Sequence, residues 1–143
     1  MTRILLVDDD RTIRTSIDLL LKRAGHDVVA ATDGRDGFAK TEAERFDLLI
    51  VDIFMPGMDG LEMIRQVHRG QPRLPVIAMS GMIFRPTSLL APDFLAMAIK
   101  LGAVKSLRKP FQPRELLAAV DECLNFPSMF EADRCAPSYL SLP

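Results

Sequence analysis

Short apolar runs alternate along the chain with longer segments in which apolar residues recur every three or four positions. Most of the runs are too short for helices and do not alternate with polar residues, a pattern typical of strands covered on both faces of a parallel sheet. They predict five strands, over residues 3–7, 26–31, 48–52, 75–80 and 104–108. The periodic segments predict five helices, over residues 13–24, 35–44, 61–69, 94–101 and 113–124.

Strands that alternate with helices favour an α/β fold. Because crossovers between parallel strands are right-handed, we expect a flavodoxin-like doubly wound sheet of five parallel strands in the order 2-1-3-4-5, with five helices. The first helix is expected to carry Arg11 and Arg14 on the side opposite its apolar residues. The second helix is the weakest prediction, because Gly37 lowers helix propensity; Phe38 and Ala39 are expected on its inward face.

Four predicted strands end in, or are followed directly by, side chains that carry chemistry: Asp8 and Asp9, Asp52, Ser80, and Lys109. The carboxyl ends of parallel strands share one edge of the sheet, where open α/β sheets bind their ligands. We therefore expect these side chains to meet in one site. Asp10, next in the acidic cluster, is expected to cap the first helix instead.

Carboxylates gathered in one pocket repel each other unless a cation joins them. Mg²⁺ is commonly held by one or two carboxylates together with water and phosphate, so the acidic edge predicts a magnesium site. Phosphoryl transfer depends mainly on positioning and charge neutralisation, and an aspartate can act as the nucleophile. We assign that role to Asp52, which stands before a loop rich in glycine and proline.

The overall composition is that of a single domain without a nucleic-acid-binding character. The chain has 143 residues, and its 18 basic and 19 acidic side chains leave a net charge of −1. The sequence shows no secretory signal, apolar membrane span or disulfide framework, so we expect a cytoplasmic protein without a membrane or nucleic-acid partner. We divide it into a folded domain over residues 1–125 and a C-terminal tail over residues 126–143.

Four motifs at the strand ends resemble those of the receiver domain of two-component response regulators, with a single-domain organisation like that of chemotaxis regulators. They are ILLVDDD at residues 4–10, VDIFMPGMDG at 51–60, MSG at 79–81 and KPF at 109–111. The four motifs in this order are highly specific. The resemblance covers residues 3–124 and identifies residues 1–125 as a receiver domain.

The resemblance implies a phosphorylation-dependent signalling switch rather than an enzyme that acts on other substrates. Asp52 would accept a phosphoryl group from a sensor histidine kinase or a phosphotransfer protein, and the chain would then signal through contact with a downstream protein. The resemblance also implies Mg²⁺ bound by Asp9, Asp52 and the backbone carbonyl of Phe54, with Asp8 acting through water.

The resemblance assigns further roles on the last two strands. Lys109, whose bond to Pro110 is typically cis in the family, would pair with the phosphoryl group, and Ser80 would hydrogen-bond a phosphoryl oxygen. The family couples that hydroxyl to an aromatic ring three residues before the lysine, where this chain has Ser106. We therefore hypothesise that the apolar loop over residues 82–92 replaces the ring as the switching element. The alternative is that Phe84, Leu89 and Leu90 simply extend the core over the fourth helix.

Two positions that hold water-orienting polar residues in the family are apolar here. Phe54 and Met82 lie two residues beyond Asp52 and Ser80, respectively. Because orientation of the attacking water sets part of the hydrolysis rate, we predict slow loss of the phosphoryl group.

Three alternatives stay open at this point. One is a receiver fragment of a longer transcriptional regulator, although no helix-turn-helix pattern or basic cluster follows residue 124. Another is an aspartyl-phosphate phosphatase or mutase, but such enzymes need a second acid for the leaving group, and Phe54 occupies the position where many carry it. A flavin-binding protein of the same fold is disfavoured, because an acidic cluster after the first strand repels a cofactor phosphate.

Overall fold

Five strands and five helices alternate in the computed structural model, which describes residues 2–55, 60–80 and 94–125 apart from the side chains of residues 94 and 95. The strands are β1 (Arg3–Val7), β2 (Asp27–Ala31), β3 (Leu48–Asp52), β4 (Val76–Ser80) and β5 (Lys105–Arg108). The helices are α1 (Arg11–Arg23), α2 (Gly34–Ala43), α3 (Gly60–Gly70), α4 (Phe94–Leu101) and α5 (Pro113–Asn125).

All five strands pair in parallel, in the order β2-β1-β3-β4-β5. This order confirms the flavodoxin-like doubly wound sheet. The register aligns Val7 of β1 with Val51 of β3, and Asp52 of β3 with Met79 of β4. The three central strands therefore end at nearly the same level, and the residues that follow them meet at one edge of the sheet.

Helices cover both faces of the sheet, which explains why the central strands are continuously apolar. On β1, Leu5 and Val7 join one buried cluster with side chains from α3 and α4, whereas Ile4 and Leu6 join a second with side chains from α1 and α5. Each large aliphatic side chain buried in this way contributes about 1.5–3 kcal/mol. None of the helices in residues 2–55, 60–80 and 94–125 combines the length and apolar character needed to span a membrane.

The inward face of α2 differs in part from the prediction. Phe38 is half-buried against the core, but Ala39 is exposed, so its predicted inward position is wrong. Gly37 is buried instead, and a Cβ at this position would lie 2.8 Å from side-chain atoms of both Met63 and Val7. Glycine therefore allows α2 to pack closely on α3 and the sheet, which offsets its poor helix propensity.

Candidate functional site

Asp52 lies at the C-terminal end of the central strand β3 and is only 6% exposed. Its Oδ1 accepts a hydrogen bond from the backbone N–H of Phe54, at 3.1 Å. Burial raises the pKa of Asp52 above its ordinary value, while the Phe54 N–H and the charge of Lys109 oppose the rise. Asp52 is therefore a carboxylate that its own loop holds in place and that is largely withdrawn from solvent.

Three carboxylates meet at this edge of the sheet. One oxygen from each of Asp8, Asp9 and Asp52 lies within 4.8 Å of the other two. Asp8 is fully buried, whereas Asp9 is exposed. This donor set fits Mg²⁺, which binds carboxylate oxygens and retains several waters, because the exposed side of the cluster admits solvent.

Lys109 brings a positive charge to the same carboxylates from the edge strand. Its Nζ lies 2.6 Å from Asp8 Oδ2 and 3.4 Å from Asp52 Oδ2. The backbone N–H of Lys109 donates to the carbonyl of Ser80 at 2.8 Å, which ties the end of β5 to the end of β4. The Lys109–Pro110 bond is cis, as the resemblance implied.

Ser80 is buried at the end of β4, the strand between those that carry Asp52 and Lys109. The sheet thus brings together the strand ends that carry these three predicted site residues. Two roles stay predictions. One is the hydrogen bond from Ser80 to a phosphoryl oxygen, and the other is metal binding by the backbone carbonyl of Phe54. Ser106 is exposed on β5, while Met82 and the loop over residues 82–92 lie outside the described residues.

The start of α3 approaches the Asp52 backbone closely. The N–H of Gly60 donates to the carbonyl of Ile53 at 3.3 Å, and a Cβ on Gly60 would overlap the Asp52 carbonyl and the Cα of Ile53. Only glycine fits this close approach, so Gly60 helps to set the position of the loop that follows Asp52.

The start of α1 confirms one prediction and shows a contact that the sequence did not predict. The Asp10 carboxylate accepts hydrogen bonds from the N–H groups of Thr12 and Ile13, at 2.9 and 3.2 Å, and so caps the helix as predicted. Arg14, predicted on the side of α1 opposite its apolar residues, also donates from Nη1 to the carbonyl of Asp8 at 2.8 Å. Helical spacing gave no signal for this contact, since its acceptor is a backbone atom.

The chain is similar in sequence to response regulators. A family model for the response regulator receiver domain matches residues 4–121. The alkaline phosphatase synthesis transcriptional regulatory protein PhoP of Bacillus subtilis is 33% identical over 122 residues, which are 85% of this chain and 48% of PhoP. The response regulator protein FleR of Pseudomonas aeruginosa is 36% identical over 118 residues, which are 82% of this chain and 24% of FleR. The chain thus spans less than half the length of both relatives.

Solved structures agree with these matches over almost the whole of both chains. The receiver domain protein (CheY-like) from Methanospirillum hungatei JF-1 has a TM-score of 0.80 and 32% identity, covering 90% of this chain and 98% of its own. The chemotaxis protein CheY4 of Vibrio cholerae has a TM-score of 0.76 and 32% identity, covering 87% and 99%, respectively. The chain belongs to the response regulator receiver domain family.

Proposed function

We propose that this receiver domain signals through phosphorylation of Asp52, with a sensor histidine kinase or a phosphotransfer protein as the donor. The observation that carries the proposal is that the Asp52 carboxylate lies beside two further acids and 3.4 Å from the ammonium group of Lys109. A downstream protein would recognise the phosphorylated state. A cytoplasmic location is part of the proposal, and the described part of the chain agrees with it in that Cys123 is a buried free thiol.

The transfer step follows from the chemistry of the donor and acceptor. A carboxylate oxygen of Asp52 attacks the phosphorus of a phosphohistidine; the P–O bond forms as the P–N bond breaks, and the bond electrons leave with the imidazole, which takes up a proton. Burial leaves the carboxylate with little water to lose before it attacks. Lys109, 3.4 Å from Asp52 Oδ2, lies within reach of the phosphoryl oxygens that Asp52 acquires.

The acidic cluster supports a magnesium requirement for this step. Asp9, Asp52 and the carbonyl of Phe54 would bind the ion, and Asp8 would act through a water molecule. Bound Mg²⁺ supplies positive charge that offsets the repulsion between the phosphoryl oxygens and the carboxylates. Lys109 already neutralises part of the charge on Asp8, at 2.6 Å, so the lysine would share this task with the ion.

Ser80 would report the phosphorylated state. Its hydroxyl, at the end of β4, would donate to a phosphoryl oxygen. This bond would favour one conformation of the residues that follow β4 over another. With Ser106 in place of an aromatic ring, we keep the proposal that residues 82–92 provide the switching element. We also predict that hydrolysis of the phosphoryl group from Asp52 is slow, because the Phe54 side chain offers no polar group to orient the attacking water.

Mass spectrometry of the intact chain tests the proposal. Incubation with Mg²⁺ and acetyl phosphate is expected to give one phosphoryl adduct, which is lost in Asp52→Ala and kept in the control Asp121→Ala, at an exposed position on α5. No turnover of external phosphate esters is expected, because no acid lies two residues after Asp52. An adduct that persists in Asp52→Ala, or ester turnover without an adduct, contradicts the proposal.

A further inference from the structure

Arg14 extends from the first turn of α1 back to the end of β1. Its Nη1 donates to the backbone carbonyl of Asp8 at 2.8 Å, and the side chain is half-buried. The acceptor is the carbonyl of the peptide unit that joins Asp8 to Asp9. Because a peptide unit is planar, a guanidinium bound to its oxygen restrains the orientation of the whole Asp8–Asp9 plane.

Asp9 depends on its backbone for its position. Asp8 is held by Lys109 and by the N–H of Asp10, which donates to Asp8 Oδ1 at 2.9 Å. Within residues 2–55, 60–80 and 94–125, no hydrogen bond restrains the carboxylate of Asp9, which is exposed. The direction of the Asp9 Cα–Cβ bond therefore follows from the peptide planes on either side of its Cα, and this bond limits the positions that the carboxylate can reach through its rotamers.

We propose that Arg14 is a positioning residue for the cation site, which fixes the Asp8–Asp9 peptide plane so that the Asp9 carboxylate points towards Asp52. The inference rests on the proposed function, in which Asp9 is a magnesium ligand. Arg14 bonds the backbone of Asp8, so it would act on the ion only through the direction of Asp9. Groups that orient metal ligands in this way typically affect metal affinity by about 10- to 100-fold.

The charge of Arg14 makes the inference testable, because the two effects of removing it have opposite signs. A guanidinium bound to the backbone of Asp8, one residue of the acidic cluster, would repel Mg²⁺, so loss of the charge alone would strengthen magnesium binding. Loss of the hydrogen bond to the Asp8 carbonyl frees the peptide plane and weakens magnesium binding. The sign of the change in affinity therefore shows which effect dominates.

Isothermal titration calorimetry with Mg²⁺ alone measures this sign. Arg14→Met keeps an unbranched apolar stem but removes the donor and the charge, and we expect its Kd for Mg²⁺ to rise by roughly tenfold. Arg14→Lys retains a donor and is expected to fall between the original chain and Arg14→Met. Arg11→Met, which removes an exposed arginine of the same helix, is the matched control for loss of charge and is expected to leave the Kd unchanged or to lower it slightly.

Phosphorylation by acetyl phosphate gives a second readout. If Arg14 only positions Asp9, excess Mg²⁺ restores the maximal rate in Arg14→Met, and only the half-saturating Mg²⁺ concentration rises. A reduced maximal rate with unchanged half-saturation indicates a merely structural role and overturns the inference, as does unchanged or tighter Mg²⁺ binding by Arg14→Met. If the original chain forms the adduct but Arg14→Met and the original chain bind Mg²⁺ equally tightly, only the role of Arg14 is refuted. If the original chain neither binds Mg²⁺ nor forms an adduct, the proposed function is refuted as well.

Discussion

Asp52 combines chemical competence with a cost to stability. The carboxylate is 6% exposed, and burial raises its pKa because an ionised group loses hydration in the folded chain. The Phe54 N–H and Lys109 offset only part of this loss. Reactive residues are often held in surroundings that do not favour their stability, and the stability of the domain is expected to improve when this charge is removed.

We predict that Asp52→Asn raises the free energy of unfolding at pH 7 by about 1 kcal/mol. The amide keeps the shape of the carboxylate, and Lys109 retains its partner Asp8 at 2.6 Å. Urea unfolding followed by circular dichroism measures the difference, with the exposed control Asp121→Asn expected to change stability little. A clear loss of stability in Asp52→Asn shows that the ion pair with Lys109 outweighs the cost of burying Asp52.

The same variant has a defined pH dependence. Because the native pKa of Asp52 lies above the ordinary value of 3.8, the native state binds more protons than the unfolded state between the two values. The penalty of the ionised carboxylate is therefore complete above the native pKa and decreases as the pH falls through it. The advantage of Asp52→Asn over the original chain is expected at neutral pH and absent below pH 3.8.

At the scale of the element, α3 offers a matched pair of glycines. Gly60 begins the helix where a Cβ would overlap the Asp52 carbonyl, whereas a Cβ on Gly70, at its end, meets nothing within 4 Å. We predict that Gly60→Ala lowers the free energy of unfolding by about 2 kcal/mol or more, because α3 must move away from β3. Gly70→Ala is expected to be neutral or to stabilise by up to about 1 kcal/mol.

The same pair links packing to chemistry. Displacement of α3 moves the backbone that carries Asp52, so Gly60→Ala is also expected to slow adduct formation with acetyl phosphate, while Gly70→Ala leaves the rate unchanged. Rates measured by intact mass at a temperature where both variants are folded test this. Equal stabilities and equal rates for the two variants contradict the role of Gly60 in placing the loop after Asp52.

The elements themselves were largely predictable from the sequence. Apolar runs located all five strands to within one residue at each end, because buried parallel strands have no polar face. The packing of α2 was less accessible. From the sequence alone, Gly37 only lowers helix propensity. Its value in packing depends on Val7 of β1 and Met63 of α3, which are distant in the sequence.

At the scale of the whole molecule, the parallel topology made the meeting of the strand ends predictable. Asp8, Asp52, Ser80 and Lys109 each follow or end a strand, so the sheet order alone places them at one edge. The burial and hydrogen bonds of the individual site residues were not predictable from the sheet order. That Asp8 is buried while Asp9 is exposed, and that Arg14 bonds a backbone carbonyl, depends on the path of a three-residue loop rather than on any residue pattern.

We propose that residues 1–125 form an autonomous receiver domain and that residues 126–143 are a tail. Within the described residues, the two buried clusters already combine the sheet with side chains of α1, α3, α4 and α5, and the residues of the acidic site follow or end β1, β3 and β5. We predict that the chain cut after Asn125 keeps its free energy of unfolding within about 1 kcal/mol and forms the same adduct at Asp52.

Urea unfolding measures this directly, because the slope of the free energy against urea scales with the surface exposed on unfolding. Equal slopes for the two chains indicate that residues 126–143 bury little surface against the domain. A chain cut after residue 118 is the contrasting control, since it removes Val120 and Cys123, which are both fully buried. That chain is expected to lose its cooperative transition, whereas a comparable loss on cutting after Asn125 would place part of the core in the tail and refute the proposed boundary.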